Sequence, residues 1–214
     1  KRCDDGRADY IHLDVMDGQF VPNSTFDYTK IKELRPLTVI PFDTHLMINE
    51  PVRQIQNYID AGSDIVTVHA EVCDESSFGE IHDLLKSNKV GVGLAINPDT
   101  SMPDWSKKFI SSLDQIIVMS VVPGKSGQKY IENTHEKTKN LMVNLKENGF
   151  TGYIEADGGV TLDNIGQCFA DGARAFVGGS AIIGQTDVRL VIREFRNQVL
   201  RTRRKLLIQK ANEL

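Results

Sequence analysis

Short apolar runs alternate with segments whose apolar positions recur every three to four residues, from one end of the chain to the other. The first run, Tyr10–Val15, predicts a strand. The loop FVPNSTFD leads to a helix near Tyr28–Leu34, which Pro36 stops. A second strand is predicted over Thr38–Met47, then a helix that Pro51 opens and Ala61-Gly62 closes. Strand three covers Asp64–His69, and helix 75–87 follows with Asp74 or Ser76 as its cap. Strand four is VGVGLAI, ended by Asn97-Pro98. A helix near 102–111 precedes strand five, Gln115–Val121, and the loop VPGKSGQ leads to helix 131–147. Strand six is Gly152–Ala156, running into Asp157-Gly158-Gly159; helix 162–170 follows. Strand seven, Arg174–Val177, precedes Gly178-Gly179-Ser180 and a long helix from Asp187 to Lys210.

Each strand is followed by a helix across short joins, which is the pattern of parallel βαβ units. At this length the pattern favours a single (β/α)8 barrel domain over residues 1–214, and the polar, glycine-rich residues follow strands, where the barrel's C-terminal face would collect them. The count gives seven strands, one short of eight, and KRCDDGRAD reads as the tail of a helix. The first βα unit is therefore expected to precede residue 1, an N-terminal extension of about 20–30 residues.

Composition changes this picture little. With 40% hydrophobic and 25% charged residues the chain reads as an ordinary globular protein. A net charge of −4 gives no global case for binding nucleic acid or a membrane. Cys3, Cys73 and Cys168 are far apart, which favours reduced thiols over a disulfide framework or a zinc ribbon. No apolar run approaches the length of a membrane span and the N-terminus has no signal-peptide core, so a cytoplasmic protein is expected.

The candidate chemistry lies at the strand ends. His12 and Asp14, two apart in YIHLDVMDG, share one face of their strand. Asp43 and His45 share a face of the second. Alone, His45 reads first as a core histidine bonded to Asp43; with His12, Asp14 and the strand-end Asp157 it reads as part of a metal site. Two imidazoles and two carboxylates suit one divalent ion such as zinc, iron or manganese. Asp14 and Asp157 lie on strands far apart in sequence, so they can face each other across a substrate as base and acid. The plain alternative for Asp157 is a turn aspartate. Gly124, Ser126 and Gly127, then Gly158 and Gly159, then Gly179 and Ser180 follow three successive strands and offer backbone amides to a phosphate. Met16, Met47 and Met119, also at strand ends, line the site or fill the core. His69 and Glu71 end strand three and either line the mouth or are solvated. The basic tract Arg201, Arg203, Arg204 and Lys205 reads as a solvated helix face.

The segments HLDVMDGQFVPNSTF, DTHLMI, AGSDIVTVHAE, GLAINPDT, VMSVVPGKSGQKYI, IEADGGV and ARAFVGGSAI resemble, in order and spacing, the motifs of the ribulose-phosphate 3-epimerases. The resemblance runs from about residue 8 to residue 184. It implies a (β/α)8 barrel interconverting D-ribulose 5-phosphate and D-xylulose 5-phosphate by two-base proton transfer at C3. The family's metal ligands fall on His12, Asp14, His45 and Asp157, its acid–base pair on Asp14 and Asp157, its methionine cluster on Met16, Met47 and Met119, and its phosphate loops on the glycine segments. A sugar phosphate is the implied partner, and such barrels often form homo-oligomers. The chain departs from the pattern at Val122, Lys125 and Ser126, where the family loop usually carries Asn, Phe and Gly, and the family's first strand, with its substrate-contacting serine, does not appear. Serine in place of that glycine is expected to cost a left-handed backbone position. These departures keep two rivals open: the same chemistry on another ketose phosphate, such as a hexulose 6-phosphate, and a non-catalytic sugar-phosphate-binding barrel.

Overall fold

A computed structural model describes residues 1–213. Seven parallel strands form one sheet in sequence order: β1 (Ile11–Met16), β2 (Phe42–Met47), β3 (Ile65–His69), β4 (Gly91–Ile96), β5 (Gln115–Met119), β6 (Tyr153–Asp157) and β7 (Ala173–Val177). The helices are α1 (Arg2–Gly6), α2 (Tyr28–Leu34), α3 (Ile55–Asp60), α4 (Glu75–Ser87), α5 (Asn133–Glu147), α6 (Ile165–Asp171) and α7 (Val188–Asn212). This is the β/α barrel architecture that the alternating pattern predicts. β1 and β7 are the edges of the described sheet.

The strands bury both faces, but with opposite chemistry. Leu13, Val15, Phe42, Leu46, Val66, Val68, Leu94 and Ile116 face outward and join helix residues such as Phe78, Ile81 and Leu85 in the main apolar core. The alternate positions face inward. The register sets His12 beside Asp43, Asp14 beside His45, His45 beside Thr67 and Met119 beside Asp157. Inside the sheet the apolar cluster is small: Ala95, Ile117, Met119 and Val121. Gly93 makes room there, since a Cβ on it would lie 1.9 Å from Thr67 Oγ1.

Several elements differ from the sequence pattern, and two of them for an identifiable local reason. β2 begins at Phe42 rather than Thr38, because Pro41 has no N–H and the Arg35 guanidinium takes the carbonyls of Thr38 and Ile40 at 2.7 and 2.8 Å. The segment predicted helical near 102–111 forms two 3₁₀ turns, Asp104–Lys108 and Ile110–Ser112, after Pro103. There Trp105 and Phe109 pack on Phe78 at centroid distances of 5.2 and 5.1 Å, so tertiary contact sets its shape. Strand five ends at Met119, not Val121. Of the two caps offered for α4, Asp74 is used: its carboxylate accepts from Ser77 N at 2.8 Å, and Ser77 Oγ accepts from Asp74 N at 2.8 Å. α7 starts where Asp187 accepts from Leu190 N at 3.0 Å.

Phe78, on the buried face of α4, is fully buried against Trp105 and Phe109 of these turns. Phe78→Ala should lower the unfolding free energy by about 3–5 kcal/mol, read from urea denaturation.

Candidate metal and sugar-phosphate site

The inward positions of β1, β2 and β6 bring His12, Asp14, His45 and Asp157 together, with one donor atom from each lying within 4.8 Å of all the others. His12 Nε2 is 3.3 Å from Asp14 Oδ1 and 3.5 Å from Asp157 Oδ2. His45 Nδ1 is 3.1 Å from Asp14 Oδ1 and 3.4 Å from Asp157 Oδ2. Two ligand atoms each about 2.1 Å from a shared tetrahedral ion lie about 3.4 Å apart, so the spacing suits one divalent cation. His12 Nε2 is buried without a hydrogen-bond partner, a polar atom that an ion would satisfy. The donor set and the orphaned nitrogen both fit a metal.

Charge in the cluster is mutually compensated. Burial alone would push Asp14 and Asp157 up, but the imidazoles of His12 and His45 hold both below the usual carboxylate range. Burial alone would lower His45, yet its hydrogen bonds to Asp14 and Asp157 raise it to about 9. Burial likewise opposes the charge on His12, and the surrounding carboxylates, Asp43 first, raise it well above its ordinary value.

Behind the four residues lies a buried support. His12 Nδ1 meets Asp43 Oδ2 at 2.7 Å and Glu155 Oε1 at 3.2 Å. Gln115 Nε2 donates to both carboxylates at 3.2–3.3 Å, and its own oxygen accepts from Tyr153 O–H at 2.9 Å. Burial and the Asp43 charge push Glu155 up, well above the usual carboxylate range. The sequence offered Asp43 as a partner for His45; the structure gives it to His12 on the neighbouring strand. It also buries His69, whose Nε2 is 2.8 Å from His45 Nε2 and whose Nδ1 is 3.0 Å from Glu71 Oε2. Sequence reasoning gave no role to Gln115 or Glu155; both fall on the inward parity of their strands, which is the signal that marks them.

Asp14 and Asp157 open into a cavity of about 480 Å³, and Met16, Met47 and Met119 line it with them. The three glycine segments reach the same cavity: Gly124, Ser126 and Gly127, Gly158 and Gly159, and Gly179 and Ser180. His12 and His45 sit beneath it. The left-handed positions of the first loop fall on Gly124 (φ 98°) and Gly127 (φ 75°), so Ser126 loses no conformation the loop needs. Gly158 combines φ 110° with a Cβ position 2.3 Å from Val121, which only glycine tolerates. Lys125 and Lys129 are the cavity's basic side chains.

With this geometry in view, the sequence comparisons are decisive. The sequence model of the ribulose-phosphate 3 epimerase family matches residues 1–183. The chain belongs to this family. It is 40% identical over 197 residues to the ribulose-phosphate 3-epimerase of Bacillus subtilis (strain 168), covering 92% of this chain and 89% of that protein. It is 38% identical over 193 residues to the Escherichia coli (strain K12) ribulose-phosphate 3-epimerase, covering 90% and 84%. The chloroplastic ribulose-5-phosphate-3-epimerase of Arabidopsis thaliana is 40% identical over 84% of this chain, which spans 64% of that protein's length. Among solved structures, a 3-hexulose-6-phosphate synthase from Salmonella typhimurium matches with a TM-score of 0.67 at 18% identity, covering 94% of this chain and 90% of that one. At that identity the likeness speaks for the barrel fold. Among the described residues of this epimerase-family chain, no helix is long and apolar enough to cross a membrane.

A metal entering the cluster must displace the proton that Asp14 and Asp157 hold on His45 up to about pH 9. Because that proton, and the one held on His12, compete with the ion at lower pH, affinity for a divalent metal should rise as pH increases from 6 toward 9. Chelator-competition titrations across pH 6–10 measure this, and a flat profile contradicts it.

Proposed function

We propose that this chain is a metal-dependent ribulose-phosphate 3-epimerase that interconverts D-ribulose 5-phosphate and D-xylulose 5-phosphate. The observation that carries the reading is the buried cluster of two imidazoles and two carboxylates opening into a cavity lined at the same time by three glycine loops. Membership of the family supplies the reaction class, an isomerase acting on a carbohydrate phosphate. Pentose-phosphate metabolism in the cytoplasm is the setting that fits this chemistry.

In this reading His12, Asp14, His45 and Asp157 hold one divalent ion, with zinc, iron and manganese all matching the donor set. The ion would supply Lewis-acid stabilisation of negative charge developing on the substrate's oxygens. The chain itself moves the protons. One of Asp14 and Asp157 takes the C3 proton, leaving an enediolate, and the other returns a proton to the opposite face of the carbon. The methionines Met16, Met47 and Met119 give an apolar surface that limits water around the enediolate without offering it an acid. The backbone amides of Gly158, Gly159, Gly179 and Ser180, with those of Gly124, Ser126 and Gly127, bind the phosphate. Lys125, in place of the aromatic residue usual in the family, adds a positive charge to the same cavity.

That lysine motivates the one rival with a specific observation behind it, the same epimerisation on a six-carbon ketose phosphate. Comparing kcat/KM on ribulose 5-phosphate and a hexulose 6-phosphate decides between them; a higher value on the six-carbon sugar overturns the pentulose assignment. A barrel that only binds sugar phosphates has no use for two opposed carboxylates, and binding without turnover in metal-replete protein would support it.

Turnover of ribulose 5-phosphate in deuterium oxide should place solvent deuterium at C3 of the product. Asp14→Asn and Asp157→Asn should each lower kcat by about 100-fold or more. Epimerisation without deuterium incorporation contradicts the two-base scheme, and a near-normal rate in either variant removes that residue from it.

A further inference from the structure

His45 Nδ1 faces the carboxylates of Asp14 and Asp157, and its other nitrogen faces away from them, into the sheet interior. There it meets no carboxylate. Nε2 lies 2.8 Å from Nε2 of His69, a side chain with no exposed surface. Two ring nitrogens at that distance share a single proton. When Nδ1 of His45 gives its lone pair to a cation, the proton sits on Nε2 and is donated to His69. His69 then carries its own proton on Nδ1, which is 3.0 Å from Glu71 Oε2. Glu71 in turn is fixed at the end of β4, where its Oε1 accepts from Asn97 N at 2.8 Å. Each donor has one acceptor, and the bonds from His45, His69 and Asn97 converge on the Glu71 carboxylate, which only accepts.

The ring of His69 is also held mechanically. Its plane lies 23° from that of His45 with centroids 4.9 Å apart, the nearly coplanar arrangement of the ring-to-ring hydrogen bond, and Phe20 packs on it at 4.7 Å. Phe20 comes from the loop after β1. Its N–H and that of Gln19 donate to Asp17 Oδ1 at 3.0 and 2.8 Å, and Asp17 Oδ2 accepts from Asn49 N at 2.7 Å. His12 differs from His45 in this respect, because its Nδ1 reaches the carboxylate of Asp43 directly, at 2.7 Å.

We propose that His69 and Glu71 are positioning residues for the metal centre, forming a relay that holds His45 in the one tautomer and ring orientation that presents Nδ1 to the ion. The proposal rests on the reading of His12, Asp14, His45 and Asp157 as the ligands. It makes the two histidine ligands unequal: one is oriented by a carboxylate, the other by a second imidazole that passes the orientation on to Glu71. Groups of this kind typically change metal affinity about 10–100-fold when removed.

The test uses cobalt(II) and the full chain as wild type, His69→Phe, His69→Gln and Glu71→Gln. Cobalt affinity is measured by chelator competition, the geometry by the visible d–d spectrum, and kcat and KM at saturating metal. His69→Phe should weaken cobalt binding about 10–100-fold and change the d–d bands, with KM for the sugar phosphate unchanged. His69→Gln, whose amide oxygen can accept from His45 Nε2, should recover most of the affinity and the spectrum. Glu71→Gln should show a loss in the same direction but smaller, about 3–10-fold. Wild-type affinity and spectrum in His69→Phe overturn the relay. If that variant does not fold, Glu71→Gln decides, and wild-type behaviour there overturns the relay in the same way. A wild-type protein that binds no cobalt overturns the metal reading and the relay together, whereas a wild type that binds it and variants that match it overturn the relay alone.

Discussion

The contact between His12 Nδ1 and Asp43, 2.7 Å long and buried on the inner face of the sheet, is the constraint on which the rest of the site depends. A carboxylate taken out of water costs several kcal/mol unless its oxygens are paired. Asp43 is 1% exposed, and it is tolerated because His12 and Gln115 both reach it. The same contact turns the other nitrogen of His12 toward Asp14 and Asp157. One buried ion pair therefore both makes the polar interior stable and aims the imidazole at the cavity. Breaking it from either side would leave an unpaired charge inside the sheet and release the ring.

The sheet inverts the usual division of labour between inside and outside. Stability resides in the outward faces, where the strands' aliphatic residues pack under the helices. The inward face carries less apolar packing, with a small cluster of Ala95, Ile117, Met119 and Val121 beside Met47 and Ile65. It holds instead a continuous set of polar side chains from β1, β2, β3, β5 and β6. The separation lets the interior be committed to chemistry without weakening the scaffold, because the two faces share only the backbone. It also explains the small residues of β4. Gly93 and Ala95 face inward, and a Cβ on Gly93 would displace Thr67.

Much of this was legible in the sequence, for a reason that also marks its limit. Period-two alternation is a property of a single strand, so it put His12 with Asp14 and Asp43 with His45 on shared faces, correctly. Which strand's carboxylate meets which imidazole depends on register between strands, and that is why Asp43 looked like a partner for His45 when it belongs to His12. His69 and Glu71 stand at a strand end, where alternation no longer predicts burial. His69 is buried with Phe20 packed on it from a loop with no periodic signal. Ser126 was expected to lose a backbone conformation, but the turn takes its left-handed angles at the flanking glycines. The start of β2 slipped because an arginine side chain, not the strand's own pattern, captures the preceding carbonyls.

The two carboxylates of the cluster are unequal in one further respect. The Asp14 side chain is 41% exposed and that of Asp157 only 9%. Where these groups serve opposite faces of one carbon, the two faces open onto different proton reservoirs. The Asp14 side opens more widely to bulk water, and the Asp157 side exchanges its hydrogen more slowly where exposure sets the rate. A symmetrical reaction would then leave an unsymmetrical isotopic record. The direction from which a sugar entered the cycle would be written in how much of its original hydrogen returns to it.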